Sequence, residues 1–434
     1  MERRTIGIGL MGLGTIGGQV AAVLTERAKQ LSAQAGCDLV LRKIRVLPED
    51  LNRPVAQQFP AELFTTGDDF FTEPGIDIII ELIGGEEPAY RYQRQVLESG
   101  RHVVTANKEV IAKHGPGLLK IAAAQGVGLY YEASVGGGIP LIAPFKYDLV
   151  ANNISGIYAI INGTTNYILT CMARDGMDFA EALARAQGRG YAEADPANDI
   201  EGTDAAYKMA ILASLAFQMP VDPEQVYREG IASLGPQDFR YAAELGFAIK
   251  LLAITKRCDN AVEIRVHPVL LPEEAFLAKV EGVYNAVQVE TDLAGKVLFF
   301  GQGAGALPTS SAVVADVLAA ARRILAGGEP PQAPGTPAAR RILPMPEITT
   351  RYYLRLTIAD QPGVLGQIAQ VLGENAISIS AAIQKEADET EQSAEIVLMT
   401  HPATEAAFGQ ARTKLEQLDA VREMSNFIRV EDIE

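Results

Sequence analysis

The feature that most constrains the fold is a glycine-rich turn near the start of the chain. Residues 5–10 (T-I-G-I-G-L) have the pattern of a short buried strand, residues 12–17 read G-L-G-T-I-G, and a helical pattern runs from about 18 to 34. A G-x-G-x-x-G sequence that ends a strand and opens a helix is typical of a dinucleotide site, because its glycines let a pyrophosphate approach the helix N-terminus. A tight turn that binds nothing is the alternative. The predicted cofactor contacts at this turn are Gly12, Leu13, Gly14, Thr15, Ile16 and Gly17.

Strand and helix patterns alternate after this turn. Strands are predicted at 39–47, 76–83, 102–106 and 128–133, with helices at about 88–99 and ending near 125. Repeated strand-helix units predict an α/β fold with a Rossmann-type, doubly wound parallel sheet. The end of the second strand normally selects NADH through an acid or NADPH through an arginine. Here it reads I-R-V-L-P-E-D and offers both, so Arg45 is a candidate cofactor contact and the preference stays open.

Two further loops follow predicted strands, at the sheet edge where ligands of such folds bind. The first, T-A-N-K at 105–108, brings Lys108 to a strand end, where it is either an active-site cation or an ordinary loop lysine. The second, E-A-S-V-G-G-G-I-P at 132–140, follows a carboxylate with three glycines. Bare carbonyl oxygens suit hard cations. A hinge between domains explains the glycines equally well.

The most acidic stretch of the chain surrounds a single lysine. Five carboxylates occur within twelve residues, at positions 193, 195, 199, 201 and 204, and Lys208 follows them. A helix is predicted from Asp204 to about Phe217 with Thr203 as its N-cap, which places Asp204 and Lys208 one turn apart. The pair is either an exposed i,i+4 ion pair or a partly buried ammonium held by carboxylates, a common form of proton donor.

Two polar or glycine-rich turns lie outside the first sheet. N-G-T-T-N at 162–166 follows a strand predicted at 157–161, and either lines a substrate pocket or caps a helix from 166 to about 175. G-Q-G-A-G-A-L-P-T at 301–309 opens a helix that runs to about 326. This second turn either returns to the cofactor domain or is a plain packing turn.

The C-terminal part of the chain has its own pattern. Residues 326–350 contain six prolines and little periodicity, which indicates a linker. Beyond it, strands at 353–358, 376–384, 394–399 and 424–430 alternate with helices that start near 362 and after Thr404. This βαββαβ order predicts a small ferredoxin-like module.

Composition excludes several classes of function. The formal net charge of −16 disfavours a nucleic-acid partner, and no apolar run approaches the roughly 20 residues of a membrane span. The strand pattern starts at once, so no signal peptide is expected and the cytoplasm is the predicted location. Three scattered cysteines and four histidines predict neither a disulfide framework nor a zinc site.

Together these motifs resemble the homoserine dehydrogenase family, in the form with a C-terminal ACT domain. The resemblance spans nearly the whole chain and is most specific in G-Y-A-E-A-D-P-A-N-D-I-E-G-T-D-A-A-Y-K at 190–208; it also includes G-A-G-A-L-P-T at 303–309 and the four other motifs quoted above. It implies reduction of L-aspartate 4-semialdehyde to L-homoserine with NADPH or NADH, on the route to threonine, methionine and isoleucine. No aspartokinase region precedes these motifs, so the monofunctional form is expected.

The resemblance also implies roles for particular residues. Lys208 corresponds to the family's catalytic lysine, Asp204 to the acid beside it, and Lys108 to a second active-site lysine near nicotinamide and substrate. Relatives often end the second strand in an Arg-Asp type sequence, and the departure here puts NADPH preference in doubt. The residues implied for the substrate are Glu193, Asp199 and Thr164, and those implied for the turn that closes over the cofactor are Gly303 and Gly305.

A sodium-type cation site is implied at the side chain of Glu132 and the carbonyls of Val135, Gly137 and Ile139. For the ACT domain we expect feedback control by an amino acid, with threonine as first candidate, or a module that only dimerises. Homodimers or homotetramers through the catalytic and ACT domains are expected. The candidate effector contacts are Asp360, Gly363, Val364 and Leu365, at a predicted helix N-terminus.

The predicted organisation is a Rossmann domain at 1–135, an α+β catalytic and dimerisation domain at 136–325, a linker at 326–350 and the ACT domain at 351–434. Residues 301–325 are expected to pack back on the Rossmann domain. Two other functions remain open at this point: a non-catalytic nicotinamide and amino-acid sensor, and a Rossmann dehydrogenase for another small amino or hydroxy acid.

Overall fold

The computed structural model describes residues 3–327, 341–388 and 392–433, which form two compact units. The first unit holds the described parts of Met1–Ile154, Tyr207–Glu224 and Thr291–Ala339. The second holds the described parts of Ser155–Ala206, Gln225–Glu290 and Arg340–Glu434. No helix among the described residues is long and apolar enough to cross a membrane.

Strands and helices alternate over the first 130 residues, as predicted. The strands are β1 Thr5–Met11, β2 Asp38–Arg45, β3 Phe64–Thr65, β4 Ile78–Glu81, β5 His102–Thr105 and β6 Leu129–Tyr130. The helices are α1 Thr15–Glu26, α2 Ala28–Ala35, α3 Ala89–Glu98 and α4 Lys108–Ala124. The single helix predicted over 18–34 is wrong in detail, because Arg27 leaves helical backbone geometry (φ −103°, ψ 16°) and separates α1 from α2.

The middle of the chain mixes helices with long antiparallel strands. Its helices are α5 Gly163–Asp175, α6 Phe179–Gly188, α7 Ala197–Ile200, α8 Thr203–Phe217, α9 Pro236–Glu244 and α10 Ala306–Ala326. Its strands are β7 Ile154–Ile160, β8 Tyr227–Arg228, β9 Phe247–Cys258, β10 Ala261–Pro272, β11 Tyr284–Thr291, β12 Lys296–Gln302 and β13 Arg341–Ile342. Of the residues predicted as a linker, 328–340 lie outside the described residues, whereas Arg341–Ile342 pairs in parallel with β10.

The C-terminal module, residues 349–433, has the predicted βαββαβ order. Its strands are β14 Thr349–Ala359, β15 Ile379–Asp388, β16 Ser393–Thr400, β17 Ala403–Thr404 and β18 Val421–Val430, and its helices are α11 Val364–Glu374 and α12 Glu405–Leu415. The long strands lie in the order β18-β14-β16-β15 with antiparallel pairing. The ferredoxin-like prediction is confirmed.

The sheet of the first unit has the strand order β3-β2-β1-β4-β5-β6, and all its pairs are parallel. The order reverses beside β1, which is the position where such sheets bind their ligands. Residues of β1 share a buried cluster with Val313 and Val317 of α10. The helix that follows the second glycine-rich turn therefore belongs to the core of this unit.

The sheet of the second unit runs β11-β7-β9-β10-β18-β14-β16-β15. The C-terminal module joins it through β18, which pairs in parallel with β10 (Val269 with Arg429, Leu270 with Val430). Backbone hydrogen bonds thus continue from the central strands of this unit into the module. This continuity was not predicted from the sequence.

Candidate active site

The glycine-rich turn has the geometry of a phosphate-binding turn. Gly12 has φ +91°, and a Cβ added to it would lie 2.7 Å from the Leu82 carbonyl oxygen. A Cβ on Gly17 would lie 2.1 Å from the Gly12 carbonyl oxygen, so the start of α1 packs directly on the turn. A Cβ on Gly14 would meet nothing within 4 Å, which leaves its backbone open to an approaching ligand. These three environments suit the three glycines of a dinucleotide turn.

A pocket opens beside this turn, and an arginine, Arg53, is one of the residues that line it. The Arg53 guanidinium donates to Asp50 at 3.0 Å. Arg45 is not among the residues that line this pocket in the described structure: it donates to Asp68 at 3.1 Å and lies 4.6 Å from the centre of the Tyr92 ring. Sequence reasoning missed Arg53, although it is the next arginine after the second strand. The lining residues are Leu13, Gly14, Thr15, Gly18, Gln19, Ala22, Arg53, Val55 and Gln58.

Lys108 is the first residue of α4, and its position is fixed by Asn107. The Asn107 side-chain oxygen accepts the Val110 N–H at 3.1 Å and so caps the helix. The Asn107 amide donates to the Gly85 carbonyl at 2.7 Å. Lys108 is half-buried at the carboxyl edge of the sheet, where the sequence predicted it.

Helices α4 and α8 line one apolar pocket of about 200 Å³ in the first unit. Ile111 and Ala112 contribute from α4, and Ile211 contributes from α8. Lys108 and Lys208 each precede these lining residues by one helical turn, and both are half-buried. The two lysines therefore occupy equivalent positions relative to this pocket, although Lys108 is the first residue of α4 and Lys208 lies in the second turn of α8.

The acidic segment, residues 190–208, is held by hydrogen bonds from a residue that the sequence did not single out. The Asn162 amide donates to Asp199 at 2.7 Å and to Asp204 at 2.8 Å, so a single NH₂ group joins two carboxylates. Its side-chain oxygen accepts the Thr165 N–H at 2.8 Å and caps α5. Asn162 and Asp204 are both buried. The contact could not be predicted from the sequence because the two residues are far apart in the chain, although the polar N-G-T-T-N stretch indicated that this region contains candidate binding residues.

Several predictions for this segment change in detail. Helix α5 begins at Gly163 rather than Asn166, because Asn162 is its cap. Helix α8 begins at Thr203, so Thr203 is a helical residue rather than the N-cap. Asp204 is only 3% exposed, and an exposed Asp-Lys surface pair therefore does not describe α8.

The two remaining substrate candidates occupy different environments. The Glu193 side chain is exposed, and its backbone carbonyl accepts a hydrogen bond from Gln187 at 3.0 Å. The half-buried Thr164 donates its hydroxyl to the Tyr191 carbonyl at 2.7 Å. Thr164 thereby ties the first turn of α5 to the start of the acidic segment.

The carboxylate of Glu132 organises the loop that follows β6. It accepts three backbone N–H groups, from Leu141 at 2.6 Å, Ile142 at 2.8 Å and Ala143 at 2.7 Å. The Glu132 N–H donates to Asp316 at 2.8 Å, and burial raises the pKa of Asp316 to about 7.

The glycines of this loop pack on the second glycine-rich turn, since a Cβ on Gly137 would lie 2.5 Å from the Gly303 carbonyl oxygen. Gly305 has φ +124° and precedes α10. Among the described residues, no group of three or more His, Cys, Asp or Glu side chains could hold a metal ion.

At the start of α11, Gly363 has φ +93°, and no side chain caps the helix. The N–H of Asp360 donates to the Gln392 carbonyl at 3.0 Å. Val364 is buried in the core of the C-terminal module, whereas Leu365 is exposed. The four candidate effector residues thus form a compact turn.

Family models match three consecutive parts of the chain. Residues 12–132 match the homoserine dehydrogenase NAD-binding domain, 140–318 match homoserine dehydrogenase, and 352–420 match the ACT domain. The homoserine dehydrogenase of Neisseria gonorrhoeae is 43% identical, with 99% of both chains covered. That of Pseudomonas aeruginosa is 40% identical, with 99% of this chain and 100% of the relative covered.

Solved structures agree. The crystal structure of a homoserine dehydrogenase from Thiobacillus denitrificans matches with a TM-score of 0.93 and 43% identity, covering 99% of both chains. A hyperthermophilic archaeal homoserine dehydrogenase in complex with NADPH matches with a TM-score of 0.64 and 26% identity, covering 75% of this chain and 99% of that one. The chain belongs to the homoserine dehydrogenase family.

Proposed function

We propose that Lys208 transfers the proton in this enzyme and that Lys108 assists by orienting the reacting carbonyl. The enzyme reduces L-aspartate 4-semialdehyde to L-homoserine with a nicotinamide cofactor, reversibly. Relatives that are named homoserine dehydrogenase match over the full length of the chain. We therefore prefer this activity to the two alternatives, a non-catalytic sensor and a dehydrogenase for another substrate.

The observation that carries the proposal is the environment of α8. Asp204 is buried and bonded to Asn162, and Lys208 follows one turn later on the same helix. A half-buried ammonium whose helix carries a fixed carboxylate can stabilise negative charge on an aldehyde oxygen and then protonate it. In the direction of homoserine oxidation the neutral amine accepts the hydroxyl proton.

The substrate carries its own ammonium and carboxylate, so it requires both acidic and donor groups. Asp199 is held in place by Asn162, which suits it to a charge-assisted hydrogen bond with the substrate ammonium. Glu193 is exposed and supplies a second acidic partner, and Thr164, whose hydroxyl donates to the Tyr191 carbonyl, supplies an acceptor oxygen. We assign these three residues to substrate binding.

The first glycine turn suits the cofactor's pyrophosphate because Gly14 leaves backbone exposed at the N-terminus of α1. When bound, the cofactor supplies or accepts the hydride. We assign Gly12, Leu13, Gly14, Thr15, Ile16 and Gly17 to this contact, with Gly303 and Gly305 closing over it. Arg53, rather than Arg45, is placed to meet a 2'-phosphate, since it lines the pocket at this turn.

Arg53 makes the cofactor preference testable. We expect NADPH to be preferred, and Arg53→Ala to lower kcat/KM for NADPH about 10-fold while NADH changes little. Arg45→Ala is the matched control on the neighbouring arginine. Equal losses with both cofactors would remove Arg53 from 2'-phosphate recognition.

We propose a sodium-type cation at the loop after β6. Glu132 already accepts three N–H groups, which leaves one of about four lone-pair positions on its carboxylate for a cation. The carbonyls of Val135, Gly137 and Ile139 would complete the site. Activity measured in sodium against a large organic cation at equal ionic strength tests this assignment, and identical rates would contradict it.

We propose that the C-terminal module exerts feedback control, with threonine as first candidate effector and Asp360, Gly363, Val364 and Leu365 as its contacts. Contacts between this module and the segment that carries Asp199 support control of the site by the module. Arg429 of β18 donates to Glu229 at 2.7 Å. Two residues later, the Ile231 N–H donates to the Ile200 carbonyl at 3.0 Å, beside Asp199. Inhibition and heat of binding during threonine titration test the assignment, and neither signal with threonine, methionine, isoleucine or lysine would leave a purely dimerising module.

Two further proposals complete this assignment. The enzyme acts as a homodimer or homotetramer through its catalytic and ACT domains, which sedimentation velocity tests directly. Its cytoplasmic location is tested by cell fractionation.

The activity itself is tested by mixing the purified protein with L-homoserine and NAD⁺ or NADP⁺ at alkaline pH and following the absorbance of reduced nicotinamide. Serine, malate and threonine serve as control substrates in the same assay. Absorbance that rises with homoserine and not with the controls supports the proposed substrate. Faster oxidation of a control substrate would contradict it.

A further inference from the structure

A buried carboxylate lies behind the loop that carries Lys108. Glu81 is the last residue of β4, and its side chain is 0% exposed. One carboxylate oxygen accepts the Ile83 N–H at 2.8 Å, and the other accepts the Gln93 amide at 2.6 Å and the Thr105 hydroxyl at 2.8 Å. No role assigned above uses this group.

The orientation of Gln93 shows that the Glu81 carboxylate determines how the neighbouring side chains are arranged. The Gln93 amide directs its NH₂ group toward Glu81 and also toward Thr105 at 3.3 Å. Its own side-chain oxygen is buried without a hydrogen-bond partner among the described residues. A buried polar atom without a partner is unfavourable, so the carboxylate's need for donors sets the arrangement.

A chain of hydrogen bonds runs from Glu81 to Lys108. Because the Thr105 hydroxyl gives its only proton to Glu81, its oxygen is left to accept the Asn107 N–H at 2.9 Å. Asn107 in turn caps α4, whose first residue is Lys108. Each link depends on the direction of the preceding hydrogen bond.

The same carboxylate ties the neighbouring loops together. It holds the loop after β4 directly through Ile83, and Asn107 holds that loop again through the Gly85 carbonyl at 2.7 Å. Between them, the Leu82 carbonyl lies against Gly12 of the glycine-rich turn. Glu81 therefore lies at the junction of the loops that follow β1, β4 and β5.

We propose that Glu81 is a positioning residue that fixes Lys108 for the reaction through Thr105 and Asn107. The proposal rests on the role proposed for Lys108. A carboxylate suits the position because its two oxygens accept three hydrogen bonds there, from Ile83, Gln93 and Thr105. Glutamine has one acceptor oxygen and one NH₂ group, so it cannot accept from Ile83 on one side and from Gln93 and Thr105 on the other, and a donor would then face a donor at one end of the side chain.

The test is a double-mutant cycle. We expect Glu81→Gln to lower kcat about 10-fold or more while KM for the cofactor changes less than about 3-fold. Because Glu81 acts through Lys108, the substitution should cost nothing further in a Lys108→Ala background. In a Lys208→Ala background it should cost the same factor as in the natural enzyme.

Thr105 provides a second pair of variants that perturbs the fold less. Thr105→Val removes the hydroxyl with little change in shape, and should reproduce the loss of kcat. Thr105→Ser retains the hydroxyl and should restore most of it. Thermal unfolding of each variant shows how much of any loss comes from unfolded protein.

The outcomes separate this proposal from the proposed function. Equal losses from Glu81→Gln with and without Lys108, or near-normal kcat in folded Glu81→Gln and Thr105→Val, would overturn the positioning role alone. Near-normal activity of Lys108→Ala would instead remove Lys108 from the proposed mechanism, and the role of Glu81 with it.

Discussion

Helices α4 and α8 each carry a lysine near the same pocket, but the residues around the two lysines differ. Both carry a half-buried lysine one turn before a shared apolar pocket. Lys108 follows a capping asparagine that is held, through Thr105, by one buried carboxylate of the parallel sheet. Lys208 lies on a helix whose first turn carries Asp204, which Asn162 joins to a second acid.

This difference is the basis on which we propose different tasks for the two lysines. The support of Lys108 comes from the strand ends next to the glycine-rich turn, which suits our proposal that its ammonium has a fixed position near the cofactor. Lys208 follows Asp204 along α8, and Asp204 and Asp199 share the Asn162 amide, which is the group of acids that we propose for the substrate ammonium. We therefore propose proton transfer for Lys208, and positioning and charge stabilisation for Lys108.

The largest expected effect follows removal of the proton-transfer group. Lys208→Ala should lower kcat by at least the roughly 10²-fold that is typical of general acid catalysis, without weakening cofactor binding. Steady-state rates and cofactor titration by fluorescence measure the two quantities. Lys208→Arg retains the charge and serves as the control. Near-normal turnover in Lys208→Ala would remove it from the mechanism.

The two capping asparagines provide a matched pair of intermediate effect. Aspartate caps a helix about as well as asparagine, so Asn162→Asp and Asn107→Asp keep their caps but each replaces the donor NH₂ group with a charged oxygen. Asn162→Asp leaves two acids without their shared donor and adds a third charge. A buried acceptor left without a partner costs ~1–3 kcal/mol, so kcat/KM for homoserine should fall roughly 10–100-fold.

Asn107→Asp loses a neutral hydrogen bond to Gly85, worth about 1 kcal/mol, and adds one charge next to Lys108 in the sequence rather than beside two acids, so it should lower kcat/KM by less than about 10-fold. Both variants are measured with the same substrate and cofactor concentrations. A greater loss in Asn107→Asp than in Asn162→Asp would reverse the assignment of the substrate acids.

The prediction with the smallest expected effect on turnover is about the free energy of unfolding, and it depends on His102 in the parallel sheet. Burial is the main reason that the pKa of His102 is lowered to about 4, against about 6.5 in an unfolded chain. Between these values the unfolded chain binds the proton more tightly. Stability from neutral His102 is thus present above pH 6.5 and is lost as pH falls toward 4.

After allowance for solvent screening, this loss should be about 1–2 kcal/mol. Denaturant unfolding at pH 7 and pH 5 measures it, with His102→Asn as the control because Asn can still accept the Gly128 N–H. The variant should lose less stability between the two pH values than the natural protein does. Equal losses would show that His102 does not titrate as expected.

The sequence was informative wherever local spacing determined structure. The glycine turn, the strand-helix alternation and the C-terminal module follow from residues close together in the chain. The side chains that hold the site do not: Glu81 lies 24 residues from Thr105, and Asn162 lies 42 residues from Asp204. Which buried donor meets which acceptor over such separations depends on the folded packing. The β10–β18 pairing was hidden for the same reason.

The most direct test of the division between the lysines is the pH dependence of kcat/KM for homoserine oxidation in the natural enzyme, Lys108→Ala and Lys208→Ala. The rate should rise with pH because Lys208 must be neutral to accept the hydroxyl proton, and ionisation of homoserine contributes equally to all three proteins. We predict that Lys108→Ala keeps the part of the rise in kcat/KM that comes from the enzyme rather than from homoserine. Lys208→Ala should lose that part. A rise that is lost in Lys108→Ala and kept in Lys208→Ala would contradict the assignment.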